Sequence, residues 1–354
     1  MLKILHSFPK NETKFRKFCQ LTFQDEQYYN TYVDNLSQRP DIKTFDIIVL
    51  HSLSQEDCLF LNENKIEIPV IWFFWGAEFF NTGVFYNRFL LKKTKLFRRK
   101  IIFHLGFVKG LKQFVKETMP WLINLSKANR VTLAALKKID YIIPVVPGDY
   151  YLLRSTYDFN AKLFHLNYIN PLVELDSLKN INGRNILLGN SSSYSNNHFD
   201  AIDDLARIDL QDKKVIIPLS YGDKLLADYI ADYALSKLGE ERVIILKEFM
   251  SFSDYNDLLL SCDVVIMNHK RQQAVGNIVQ SLLNGSHLYL RSESTVYQYL
   301  KDCGFQISAF NDVISLSGLS YEDVNLNREL AKKIFGAEFQ HQKLQSLINQ
   351  IVSE

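Results

Sequence analysis

Two polar stretches in the second half of the chain carry residues suited to holding an anion. Residues 189–198 read Gly-Asn-Ser-Ser-Ser-Tyr-Ser-Asn-Asn-His, a glycine followed by hydroxyl and amide side chains. Residues 268–277 read Asn-His-Lys-Arg-Gln-Gln-Ala-Val-Gly-Asn, polar and basic. Each follows an apolar run (185–188 and 263–267) that predicts a buried strand, and each opens a segment that predicts a helix. A strand end feeding a helix N-terminus offers backbone N–H groups and the positive end of a helix dipole, which suit a diphosphate. Lys270 and Arg271 add formal charge there. Neither loop fits GxGxxG or the P-loop, and a solvated connection in a βαβ unit is the plainer alternative.

A third stretch, Trp75-Gly76-Ala77-Glu78, follows the apolar run 69–74. Functional residues of parallel α/β sheets sit just beyond strand carboxyl ends. A carboxylate at that place could act as a general base if apolar neighbours raise its pKa. Equally, an acid in a first helical turn is simply favoured by the dipole. His198, His269 and His287 are not at metal-ligand spacing, and a loop histidine is more often a hydrogen-bonding residue than a catalyst. No Ser/His/Asp or Cys/His order stands out.

The elements that must position these residues alternate. The first half predicts strands at 2–7 (followed by a polar loop), 45–51, 69–74, 141–146 and 164–170, with helices at 58–62 and 132–138. Residues 147–151 read as a turn into a further helix, and Pro171 marks a linker. The second half predicts strands at 185–188, 215–218, 243–246, 263–267, 287–290 and 305–307. Its helices are expected at 199–207, 229–239, 253–261, from 276 to a C-cap at Gly285, 296–303, 325–335 and 340–352. Strands separated by helices mean parallel sheets, and 354 residues are too many for one ordinary core, so the chain reads as two α/β domains. The expected boundaries are 1–170, 171–325 and a C-terminal helical segment, 326–354, packing back across the domain junction.

Composition narrows the classes. Lys and Arg number 41 against 39 Asp and Glu, too balanced for a general nucleic-acid binder. Four cysteines (Cys19, Cys58, Cys262, Cys303) lie far apart with no CxxC pair, which argues against a zinc site or a disulfide framework. No run of 18 apolar residues exists, and the N-terminal apolar run is too short for a signal peptide. The expectation is a cytosolic protein, or one attached to the cytosolic face of a membrane. Residues 86–116 bear on that choice. They carry ten Lys and Arg and no acid, interleaved with bulky apolar side chains. That is the composition of a segment lying among anionic headgroups, with Lys92, Lys93, Phe97, Arg98 and Arg99 as expected membrane contacts. An amphipathic helix pair with solvated lysines is the alternative; no nucleic-acid recognition module accompanies the charge.

Taken together, the motifs resemble one family. Trp75-Gly76 followed by an acid, Gly189-Asn190-Ser191 with Ser195-Asn196 and His198, Pro218 with Tyr221, Arg271-Gln272-Gln273 with Gly276, and a later Glu293 match the pattern of the bacterial 4-acetamido-4,6-dideoxygalactosyltransferases, glycosyltransferase family 56, which act in enterobacterial common antigen assembly. The acid in the first motif is Glu78, where the family pattern has Asp. The resemblance spans roughly residues 70 to 300 and is denser in the C-terminal half.

It implies the GT-B architecture, two Rossmann-like domains facing across a cleft, the N-terminal one toward acceptor and membrane and the C-terminal one toward the nucleotide-sugar. It further implies transfer of a deoxyamino sugar (Fuc4NAc-like) from a dTDP-sugar to an undecaprenyl-diphosphate-linked saccharide, by a peripheral protein of the bacterial inner membrane. Gly189, Asn190, Ser191, Asn196, Arg271, Gln272, Gln273, Gly276 and Asn277 would hold the donor. Glu293 would accept from ribose hydroxyls, and Tyr221 would stack on or hydrogen-bond the base. Trp75 and Gly76 would lie on the acceptor side, with Glu78 as general base and His198 in reserve. The chain has no Asp-x-Asp motif, so no metal and no cofactor beyond the donor substrate is expected. A UDP- or GDP-sugar donor, or an epimerase-like enzyme, is the alternative.

Overall fold

The computed structural model describes residues 1–354 apart from 11, 13, 40, 81–84, 105, 107, 109–110, 112–126, 170–179, 312 and 314. The chain divides into two compact units. The first comprises Met1–Phe85, Met119–Glu174 and Lys333–Glu354, and the second Tyr86–Thr118 and Leu175–Lys332. The linker expected at Pro171 lies outside the described residues.

The first unit holds a six-stranded parallel sheet of β1 (Leu2–Ser7), β2 (Tyr28–Val33), β3 (Ile47–His51), β4 (Val70–Phe74), β5 (Tyr141–Pro144) and β6 (Lys162–Leu163), in the order β2-β1-β3-β4-β5-β6. Strands β3, β4 and β5 are buried throughout, as unbroken apolar runs covered on both faces must be. The final helix, Ala337–Ser353, contributes Leu344, Leu347, Ile348 and Ile351 to the same core as Ile4, Val49, Ile71 and Ile143.

Several expectations need correction here. The supposed polar loop after β1 contains a helix, Lys14–Thr22, and the edge strand β2. Tyr-Tyr-Asn-Thr-Tyr-Val is polar enough to read as loop because an edge strand keeps much of its surface in solvent. The helix after β5 starts at Pro147 itself, whose fixed φ and missing N–H suit a first turn. The last strand is Lys162–Leu163 rather than 164–170, although Phe164 N–H still donates to the Ile142 carbonyl at 3.0 Å.

The second unit repeats the plan with β7 (Asn185–Leu188), β8 (Val215–Pro218), β9 (Val243–Leu246), β10 (Cys262–Met267), β11 (His287–Leu290) and β12 (Ser308–Ala309), all parallel, in the order β12-β11-β10-β7-β8-β9. The helix after β8 runs Lys224–Leu238, starting before the expected 229, because the Asp223 carboxylate accepts from Leu226 N–H and caps it. The short last strand lies at Ser308–Ala309, not 305–307.

In each sheet the chain reverses its direction of travel beside the first strand, between β1 and β3 and between β7 and β10. Loops leaving the two strands at such a point diverge and open a crevice at their carboxyl ends.

Candidate functional site

The two polar loops of the second unit meet at the β7/β10 switch point. Strand β7 runs into Gly189, whose N–H donates to the Ile266 carbonyl of β10 at 2.9 Å. Gly189 has φ +71°, and a Cβ there would fall 2.5 Å from His198 Nε2. The loop folds back over its own strand end, and only glycine leaves room for it.

Asn196, 1% exposed, is the hub of this loop. Its Oδ1 accepts from Asn190 N–H at 3.1 Å and faces His269 Nε2 at 2.8 Å. Its Nδ2 donates to the Ser191 carbonyl at 3.0 Å and to Ser191 Oγ and Ser193 Oγ, both at 3.1 Å. Gln273 joins the loops from the other side: its Oε1 accepts from Ser195 Oγ at 2.6 Å and its Nε2 donates to Asn190 Oδ1 at 3.2 Å. Five of the expected donor-site residues, Gly189, Asn190, Ser191, Asn196 and Gln273, and the reserve base His198 are therefore brought into one hydrogen-bonded or contacting cluster.

Sequence reasoning passed over Asn197 and Asn268. Asn197 takes a left-handed conformation (φ 52°), and its Nδ2 donates to the carbonyls of Phe89 and Asn268 at 3.0 and 3.1 Å. Asn268 Nδ2 returns a bond to the Asn197 carbonyl at 3.1 Å. The Asn-Asn pair just before a helix was the available signal, since asparagine tolerates that conformation far better than most residues.

Beyond the second loop, the helix Val275–Asn284 starts from Ala274, also left-handed (φ 57°), and no side chain caps it. Its first turn carries no acid. Backbone N–H groups that a capping Ser or Asp would satisfy are thus left to another partner. Arg271 and Gln272 are buried just ahead of it; Arg271 Nη1 donates to the Gln272 carbonyl at 2.7 Å, and Gln272 Oε1 has no hydrogen-bond partner. Asn277 Nδ2 reaches Tyr255 OH at 3.3 Å, while Gly276 is exposed with open space where a Cβ would go.

The electrostatics of the site are those of neutral imidazoles beside a cation. Burial holds the His198 pKa down to about 4, against a smaller opposing effect of the Leu188 backbone. His269 is pushed well below the ordinary histidine value by burial and then by the Arg271 charge. Both rings are uncharged at neutral pH.

The other expected donor residues sit at the margins of the unit. Tyr221 is 79% exposed, and its carbonyl accepts from Ser192 N–H at 2.8 Å. Glu293 is bound by Arg291, at 3.2 and 3.3 Å, and by Asn311 Nδ2 at 2.8 Å. Against the desolvation that would raise it, these hydrogen bonds hold Glu293 down to about 2, so it is a carboxylate throughout the working pH range.

Trp75, Gly76 and Glu78 belong to the first unit, at the end of β4. Glu78 Oε1 accepts from Trp75 N–H at 3.1 Å, so the acid caps its own helix start. Trp75 Nε1 donates to Tyr168 OH at 3.2 Å.

Of the basic segment, the helix Lys92–His104 lies against the second unit. Asp200 accepts from Lys93 N–H, Thr94 N–H and Thr94 Oγ1 at 2.9, 2.8 and 2.7 Å, capping it. Two of the five expected membrane contacts face inward: Phe97 stacks on Phe199 with centroids 4.1 Å apart, and Arg98 is buried with Nη1 on Asn87 Oδ1 at 2.9 Å. Lys93 pairs with Asp203 at 2.7 Å. Lys92 is exposed and Arg99 partly so. Residues 105, 107, 109–110 and 112–116 of the segment lie outside the described residues. No helix among the described residues is long and apolar enough to cross a membrane.

Two parallel six-stranded α/β units, with loops converging at a switch point, define the GT-B glycosyltransferase fold, and solved structures of that class match over almost the whole chain. Anabaena HepE, crystallised with UDP and glucose, aligns with 99% of this chain and 100% of its own, at TM-score 0.58 and 11% identity. Sucrose-phosphate synthase from Thermosynechococcus elongatus aligns at TM-score 0.62 and 8% identity, with full coverage of both chains. A glycosyltransferase from Rickettsia africae aligns at TM-score 0.56 and 11% identity, covering 99% of this chain and 98% of its own. Residues 147–311, a little under half of the chain, match the family model described as 4-alpha-L-fucosyltransferase, glycosyl transferase group 56. The matched region contains both polar loops and Glu293; it excludes Trp75, Gly76, Glu78 and the basic helix.

Proposed function

We propose that the protein is a glycosyltransferase whose second unit binds the diphosphate of a nucleotide-sugar at the β7/β10 crevice. The observation that carries this reading is the uncapped helix start after Ala274, set beside buried Arg271 and Gln272 and opposite the Gly189–Asn196 loop. Departure of a nucleoside diphosphate builds negative charge on its leaving oxygen, and donors already aimed at that charge lower the barrier. Backbone N–H groups of the first turn, the Arg271 guanidinium and the neutral His198 ring supply such donors. Among the described residues of the two loops there is no carboxylate, which fits anion binding.

The finer reading follows the motifs and the partial family match. The donor is a dTDP-linked deoxyamino sugar and the acceptor an undecaprenyl-diphosphate-linked saccharide, with Tyr221 toward the base and Glu293 toward the ribose. Glu78 takes the acceptor proton after releasing Trp75 N–H, and catalysis needs no divalent ion. The protein works at the cytoplasmic face of the inner membrane, held by the outward stripe of the basic helix. That stripe consists of Lys92, Leu96, Lys100 and Phe103, all exposed and spaced to fall on one face.

The test is calorimetric titration with dTDP, UDP and GDP, wild type against Arg271→Ala. Micromolar dTDP affinity, weakened at least tenfold in the variant, supports the donor site and its base preference. Preference for UDP, the nucleotide seen with HepE, would retain the fold and change the donor. Binding of none of the three would remove the reading.

A further inference from the structure

The first unit has its own cluster at the β1/β3 switch point, made of residues that the reaction does not use. His6 from β1, His51 from β3 and Cys19 from the helix Lys14–Thr22 are all fully buried. His6 Nδ1 lies 3.0 Å from His51 Nε2, and Cys19 Sγ lies 3.3 Å from His51 Nε2 and 3.7 Å from His6 Nδ1. We propose that these three atoms form a binding site for a thiophilic metal ion, Zn²⁺ or Cu⁺.

Geometry is the first argument. Metal–nitrogen bonds of about 2.0–2.1 Å and metal–sulfur bonds of about 2.3 Å, opened to tetrahedral angles, separate the ligand atoms by roughly 3.3–3.6 Å. The observed triangle is within a few tenths of an ångström of that. An imidazole–imidazole–thiolate set is also the set that selects Zn²⁺ and Cu⁺ over Mg²⁺ or Ca²⁺.

The outer partners are the second argument. Asn30 Nδ2 donates to the Phe23 carbonyl at 2.9 Å, which turns its Oδ1 toward His6 Nε2, also at 2.9 Å. The His6 proton is therefore on Nε2, and the Nδ1 lone pair is aimed at the cluster centre. His51 Nδ1 meets Tyr168 OH at 2.5 Å, holding its Nε2 toward the same point. Histidine ligands ordinarily have the second nitrogen so engaged. Phe8 and Phe73 stack on His51, and Tyr32 stacks on His6, so the point of convergence is dry.

Access is the third. An open groove lined by Lys17, Gln24, Asp25 and Glu26 reaches Phe23, Asn30 and Tyr32, the three residues packed around the His6 ring.

In the empty protein Tyr168 donates to His51 Nδ1, His51 Nε2–H donates to His6 Nδ1, and burial keeps the Cys19 thiol protonated. On binding, the His51 proton moves to Nδ1 and donates to the Tyr168 oxygen, while the thiol proton leaves. Each ion bound as a thiolate complex releases about one proton per chain. A Cu⁺ complex of this set is neutral and complete with three ligands; Zn²⁺ would take a fourth from water.

The experiment uses the full-length protein. Metal content is measured as purified, and the chelator-stripped protein is then titrated with Zn²⁺ in air and Cu⁺ under nitrogen, each against a competing chromophoric chelator. We expect about one equivalent of one of the two ions, a raised melting temperature on binding, and at least 100-fold weaker binding in Cys19→Ala with binding intact in Cys303→Ala. Should Cys19→Ala fail to fold, Co²⁺ titration of the wild type must give thiolate charge-transfer absorption with tetrahedral d–d bands. Absence of uptake of either ion, uptake unchanged in Cys19→Ala, or a Co²⁺ spectrum without thiolate bands would overturn the site and leave a hydrogen-bonded Tyr–His–His chain.

Discussion

A Cβ on Gly189 would sit 2.5 Å from His198 Nε2 and 2.8 Å from Asn196 Oδ1, and the residue's φ of +71° disfavours any L side chain. Gly189→Ala should therefore cost about 2–5 kcal/mol, from left-handed strain plus overpacking. It should also abolish nucleotide binding where the protein still folds, because relief requires Asn196 or His198 to move. Urea unfolding together with the dTDP titration checks both. Gly276 is the contrast: its position is open, so Gly276→Ala should leave stability within about 0.5 kcal/mol. The sequence motif marks both glycines alike. Only the first is a steric necessity, and that depends on where the His198 ring folds, which spacing along the chain does not encode. The same limit hid Asn197 and Asn268, which hold the loops together through backbone carbonyls far away in sequence.

At the scale of elements, buried strands were legible because continuous apolar runs have few other uses. Strands β7, β8, β9 and β11 lie where the β-branched and apolar runs place them. Three of the four edge strands were not, since β2, β6 and β12 hold little buried surface and leave no such run; the fourth, β9, was legible because its Val-Ile-Ile-Leu run is unbroken. The basic helix shows a third case. Its composition could be read from the sequence, its inward face could not, because Phe97 turns toward Phe199, far later in the chain, and Arg98 turns back toward Asn87 before the helix. The outward stripe makes the prediction. Lys92→Glu with Lys100→Glu should weaken binding to vesicles containing anionic lipid by about 30-fold or more, at roughly 1 kcal/mol per removed lysine near the surface. Lys92 is exposed at the helix start, and Lys100 Nζ lies over the Phe97 ring at 5.6 Å, so the double variant should lose no more than about 1 kcal/mol of stability while the dTDP affinity stays unchanged. Equal vesicle binding by variant and wild type would withdraw the membrane role from this helix.

At the scale of the whole molecule, the alternation of strands and helices was enough to read two parallel α/β sheets, whereas the division of the chain between the units was not. The last helix belongs to the first unit's core, and the basic helix to the second unit, because hydrophobic burial follows the face available rather than chain order. What both units share is burial of neutral histidine, and this sets the acid response. His198 in the second unit and His165 in the first each have a pKa lowered by burial to about 4, against 6.5 ordinarily. As pH falls through 6.5 the unfolded chain takes up protons that the folded chain refuses until about 4. Stability conferred by these rings is complete above 6.5 and is lost progressively between 6.5 and 4. For His198 the loss between pH 7 and pH 5 is about 2 kcal/mol. His198→Asn should therefore flatten the acid limb, losing about 2 kcal/mol less than wild type over that interval, whatever its stability at pH 7. The carboxylates held low, Glu293 among them at about 2, do not titrate in this window, so they leave the comparison intact. Urea midpoints for the two proteins at pH 7 and pH 5 decide it: parallel losses would mean that the His198 ring takes up its proton as readily in the folded protein as in the unfolded chain, and a ring so protonated would strengthen, not weaken, diphosphate binding as the pH is lowered.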